Sequence, residues 1–68
     1  MTVREVVRVL KRAGFERARH GKHEGYRHPS GLFVPVPVHT GDVPPGTLRS
    51  IFELAGISRE RLRELLDA

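Results

Sequence analysis

Three of the chain's four histidines fall within nine positions, in His20-Gly21-Lys22-His23-Glu24-Gly25-Tyr26-Arg27-His28. The fourth is His39. Imidazole titrates near neutral pH, so it can take or give a proton under cellular conditions. Three kinds of chemistry suit such a stretch. The first is metal binding, since all four rings could supply nitrogen ligands. Yet His20 and His23 flank a turn and lack the helical His-Glu-x-x-His frame. No cysteine assists, and Lys22 and Arg27 would repel a dication. No metal and no other cofactor is therefore expected. The second is plain solvation on a polar strand, which suits His20 and His28 and accounts equally for His39. The third is acid–base work beside an anionic polymer, which suits His23, placed just past a glycine turn with positive charge on both sides. RNA supplies its own nucleophile, the 2′-hydroxyl. A base that removes its proton lets it attack the adjacent phosphorus, and a cation then stabilises the phosphate oxygens. Spacing alone leaves these readings open.

Charge distribution bears on the choice. Residues 1–28 carry eight basic side chains against three acidic ones, whereas residues 29–68 carry four against five. A basic half of this kind suggests an anionic partner, most simply nucleic acid, although a solvated arginine-rich surface would have the same composition. The 68 residues make one domain, residues 1–68, with no room for a second core. A domain this small buries only about 60% of its unfolded surface, so its stability should be marginal unless a partner adds area. The absence of cysteine excludes a disulfide framework and points to an intracellular, cytoplasmic protein. No apolar run approaches the roughly 20 residues that span a bilayer, so no membrane partner is expected. The opening Met1-Thr2-Val3-Arg4-Glu5 reads as a helix start rather than a signal peptide.

The elements that must position these side chains follow from periodicity. Thr2 and Glu5 have capping-box spacing, which starts a helix near Val3. Val3, Val6, Val7 and Leu10 form its apolar face, Arg4, Arg8, Lys11 and Arg12 fall mostly opposite, and Gly14 ends it. Two short polar strands follow, FERARH and HEGYRH, joined by a tight turn over His20–His23. A second turn falls at Pro29-Ser30-Gly31. In LFVPVPV, Leu32, Val34, Val36 and Val38 share one face. Pro35 and Pro37 remove donors from the same side, which makes this an outer strand protected against edge pairing. HTGDVPPG is a loop. Leu48, Ile51, Phe52 and Ala55 mark a second helix, stopped by Gly56. Ser58 caps a third, with Ile57 and Leu62 as a hydrophobic staple and Leu62, Leu65 and Leu66 facing inward. The expected fold is α+β: a small three-stranded antiparallel sheet with helices packed on one face, in the order αβββαα. The αβββα part is the order of double-stranded-RNA-binding domains.

The stretch GKHEGYRHP followed by VPVHTGDVPPGTLRSIFELAGIS strongly resembles the HicA toxin family, also called the YcfA-like family of small mRNA interferases. The resemblance runs over almost the whole chain, from KRAGF to the final leucines. It implies a double-stranded-RNA-binding-like fold, a single catalytic histidine, cleavage of messenger RNA, and inhibition by a HicB antitoxin. The family's histidine follows a glycine and, typically, a serine. Carried over, it is His23 after the turn residue Gly21, with Lys22 in place of the serine, where it could add a phosphate contact or alter the turn. Lys22, Lys11, Arg12, Arg19 and Arg27 would hold the RNA backbone through non-specific electrostatics. The GTLRSI motif has a structural reading: Gly46 and Thr47 open a helix that Leu48 and Ile51 pack, leaving Arg49 to face solvent, RNA or antitoxin. The alternatives to a ribonuclease toxin are a non-catalytic RNA-binding module and an antitoxin-docking interaction domain.

Overall fold

A computed structural model describes residues 1–36 and 41–67. The helix α1 runs Val3–Arg12, the strands β1, β2 and β3 run Glu16–His20, His23–Arg27 and Phe33–Pro35, and the helices α2 and α3 run Pro45–Ala55 and Arg59–Asp67. The strands form one antiparallel sheet in the order β1-β2-β3. The architecture is the expected α+β arrangement αβββαα. Pro37 and Val38, assigned above to the end of the outer strand, and His39, at the start of the loop, lie outside the described residues.

Each helix begins and ends for a local reason. At α1 the Thr2 hydroxyl accepts from the Glu5 N–H at 3.2 Å, and the Glu5 carboxylate accepts from the Thr2 N–H at 2.9 Å. Two of the helix's orphan donors are thereby satisfied. This pairing holds the Glu5 carboxyl below its ordinary range, chiefly through the Thr2 backbone bond and then through its hydroxyl. Gly56, with φ 70°, closes α2 in the left-handed conformation, and Ser58 Oγ accepts from Arg61 N–H at 3.1 Å to open α3.

The core comprises Val6, Val9 and Leu10 of α1, Phe15, Val34 and Val36, Val43, Ile51, Phe52 and Ala55 of α2, and Leu65 of α3. The apolar stripe of α1 differs from the expected one: Val9 is fully buried and Val7 only half-buried. Leu66 is 46% exposed, so the inward face of α3 is carried by Leu65, with Leu62 at its margin. Leu32 likewise stays 44% exposed, because it belongs to the turn that precedes β3. One connection had no signature in the sequence. Val3 N–H donates to Gly41 O, and Val43 N–H donates to Met1 O. The N-terminus is thus tied to the segment entering α2, and Val43 is drawn into the core.

Alternation divides the sheet into two faces. Tyr26 pairs with Val34, and both join the helix-covered core. Gly25 pairs with Pro35, and Arg27 with Phe33. These residues, with Ala18, His20 and His23, point to the opposite, uncovered face. β3 is an outer strand as expected. Its Val36 N–H bonds inward to Glu24 O, and Pro35, of the opposite parity, takes a position where a donor would face outward.

Candidate functional site

His20 and His23 are cross-strand partners that close the β1–β2 hairpin over the two-residue turn Gly21–Lys22. Gly21 has φ 63°, and among the described residues no non-glycine residue has positive φ. Glycine at the first turn position followed by an ordinary residue is the type II′ pattern, whose twist matches that of the strands it joins. A Cβ on Gly21 would meet nothing, so the requirement for glycine there is conformational rather than steric. The turn leaves both Lys22 and His23 exposed. The motif therefore places an imidazole and an ammonium side by side on the tip of a hairpin.

A cleft of about 470 Å³ lies between the hairpin end and α2. Lys22, His23 and Pro35 form one side of it, and Thr47, Ser50 and Leu54 of α2 the other. Leu54 is 53% exposed and supplies an apolar lip, while the Ser50 hydroxyl is turned back onto Gly46 O at 3.1 Å. The GTLRSI segment thus has a second use besides packing, because Thr47 and Ser50 line the cleft beside the hairpin end. The sequence carried one sign of this: Leu54 lies off the stripe that Leu48, Ile51 and Ala55 form. Arg49 is exposed and paired with Glu53 at 3.0 Å.

On the uncovered face the His20 ring lies 5.7 Å from that of Phe33, and the Arg27 guanidinium stands 5.5 Å from the same ring centre. Gly25 is the floor beneath them. A Cβ there would clash first with the Val34 carbonyl oxygen and then come within 2.9 Å of the Phe33 ring and the Pro35 Cα, so glycine is required chiefly by the close approach of the β3 backbone and also leaves room for the ring.

The five cations expected to hold RNA are not gathered into one patch. Lys22 adjoins His23. Arg27 shares its sheet face, two alternations along β2. Arg19 is engaged by Glu24 at 2.9 Å, with Arg17 near the same carboxylate at 3.8 Å. Lys11 and Arg12 stand on α1. Arg12 donates to Leu65 O at 2.7 Å, which gives it a structural task, tethering the end of α3. His28 is also placed structurally: its Nδ1 accepts from the Ser30 N–H at 3.1 Å, and its ring lies 5.0 Å from Phe15. A Cβ on Gly14 would come within 3.2 Å of His28 Nε2. Among the described residues, no three histidine, cysteine, aspartate or glutamate side chains converge as a metal site requires, and His39 lies outside them.

Fold and site together define a small α+β domain whose hairpin tip presents His23 and a neighbouring cation beside a cleft. The family model for the HicA toxin of bacterial toxin–antitoxin systems matches residues 3–57, and the chain belongs to that family. Membership makes it the toxin of a toxin–antitoxin pair, and the match ends just before α3. No curated protein matches the chain, and no helix among the described residues is long and apolar enough to cross a membrane.

Proposed function

We propose that this toxin is an endoribonuclease that cuts messenger RNA in the cytoplasm with His23 as its acid–base group. The observation that carries this reading is the exposure of His23 beside Lys22, at the tip of a glycine-dependent hairpin that opens on a cleft. The imidazole removes the proton from a ribose 2′-hydroxyl. The 2′-oxygen attacks the adjacent phosphorus, the bond from phosphorus to the 5′-oxygen breaks, and the imidazolium returns its proton to that leaving oxygen. The products are a 2′,3′-cyclic phosphate and a 5′-hydroxyl. The reaction needs no protein nucleophile and no metal, since the substrate supplies the attacking group. Lys22, next to His23, stabilises the charge that develops on the phosphate oxygens in this reading, and such stabilisation gains strength when directed at the transition state. Arg27 and the more distant Lys11 add electrostatic attraction to the backbone. A HicB-like antitoxin that covers the hairpin tip would block the same cleft.

The test compares RNA cleavage, and growth arrest on expression, between the parent and His23→Ala. Acid–base catalysis by one side chain contributes about 100- to 10,000-fold, so the variant should lose at least about 100-fold in cleavage rate and no longer arrest growth. Equal cleavage by both proteins would remove His23 from the mechanism. RNA binding without cleavage by the parent would favour the non-catalytic RNA-binding module.

A further inference from the structure

Phe33 is half-buried, yet it takes no part in the hydrophobic core. A large aromatic that adds nothing to the core, on the side of the sheet away from the helices, calls for a reason. Its surroundings are specific. Gly25 supplies a flat floor that a methyl group would spoil. His20 brings a second ring to 5.7 Å, tilted by 44°. Arg27 stands over the same ring at 5.5 Å. From Gly25, where these rings meet, His23 is two residues along β2, about 7 Å.

Aromatic rings on an open sheet, bordered by cations, are the elements that hold single-stranded nucleic acid. Bases stack on the rings, and the basic side chains follow the backbone. We propose that His20, Phe33 and Arg27 form a nucleobase-stacking subsite for single-stranded RNA, adjoining the cleavage position at His23. The occupant is single-stranded because a duplex keeps its base faces stacked inside the helix, out of reach of a ring on a protein surface. Charge complementarity favours RNA over an apolar peptide, because the Arg27 guanidinium stands over the platform and an apolar peptide would leave that charge unpaired. The subsite rests on the ribonuclease reading for its purpose, but its ring geometry stands apart from the catalytic step. Through it, the uncovered sheet face selects unpaired RNA and sets its path towards His23.

The experiment uses the full chain and a short 2′-O-methyl oligoribonucleotide, which offers no free 2′-hydroxyl to attack. An abasic strand of the same length and charge is the control. Phe33→Leu should weaken binding of the base-bearing strand about tenfold, the scale of one lost base stack, and leave abasic-strand binding and the salt slope unchanged. The chain has no tryptophan and one tyrosine, Tyr26, so Phe33→Trp introduces a single tryptophan at the platform, which can be excited selectively at the red edge where tyrosine does not absorb. It should retain affinity, and its fluorescence should be quenched by the base-bearing strand but not by the abasic one. This second variant decides the matter should Phe33→Leu fail to fold. Equal affinity of parent and Phe33→Leu overturns the subsite, as does emission from Phe33→Trp that neither strand alters, the result expected of a protein-docking face. Loss of cleavage in His23→Ala together with base-independent binding would leave the ribonuclease reading standing and remove this one. Base-dependent quenching with full cleavage by His23→Ala would do the reverse.

Discussion

At the scale of single residues, the difference between Lys22 and His23 is the difference between holding and reacting. His23 must exchange a proton; Lys22 need only be positive and close. Lys22→Ser, which installs the serine typical of the family at that position, should therefore leave the fold within about 0.5 kcal/mol of the parent. It should also reduce the slope of log affinity against log salt by about 0.7, the value for one lost contact to a single strand. Binding isotherms at several salt concentrations measure this. A slope unchanged by the substitution would show that the ammonium makes no phosphate contact. The histidine, the glycine and the lysine were all legible in the sequence, because a glycine two residues before a histidine, between polar strands, already specifies a turn that exposes it. The platform around Phe33 was not legible. Sequence alternation marks which residues of LFVPVPV point inward and says nothing of what the outward ones meet. That Phe33 lies across Gly25 depends on the register between β2 and β3, which is a tertiary property.

At the scale of elements, helix boundaries were set by local chemistry and could be read directly, whereas burial within each helix depended on neighbours. Thr2, Gly14, Gly56 and Ser58 act within a few residues of themselves. The burial of Val9 and the exposure of Leu66 follow from where α1 and α3 meet the rest of the chain. The capping box gives a prediction with a definite sign. The Glu5 carboxyl is held below its ordinary range by its bonds to Thr2, so its contribution is present above the unfolded-state value of about 4.3 and is lost as pH falls through the lowered folded-state value. Glu5→Gln keeps an acceptor for the Thr2 N–H but cannot titrate. Thermal unfolding of the two proteins at pH 7 and pH 3 should show the larger fall for the parent. Thr2→Ala, which removes the hydroxyl acceptor, should cost about 1 kcal/mol at pH 7. An acid sensitivity identical in parent and Glu5→Gln would place the titrating group elsewhere.

At the scale of the whole molecule, a chain this short has little stability to lose. Per-residue stabilities of about 0.05–0.15 kcal/mol put a domain of this size at roughly 3–10 kcal/mol. Leu10 is fully buried at the centre of the α1 packing face, and truncating such a leucine costs about 2–5 kcal/mol. The two ranges overlap, so Leu10→Ala should leave a large fraction of the free toxin unfolded at 37 °C, as measured by circular dichroism and urea titration. Toxicity should then fall even though His23, Lys22 and the cleft residues are unchanged, since the hairpin tip has its geometry only while β1 and β2 are paired and backed by the core. A ligand that binds the folded state alone restores stability in proportion to the logarithm of its concentration over its dissociation constant. The antitoxin, at 100 times that constant, would add about 2.7 kcal/mol. Leu10→Ala should accordingly be folded in complex and largely unfolded when released, whereas His23→Ala should be folded in both states and inactive in both. A Leu10→Ala protein that is folded and fully toxic in free form would show that the hairpin holds its shape without the helical layer.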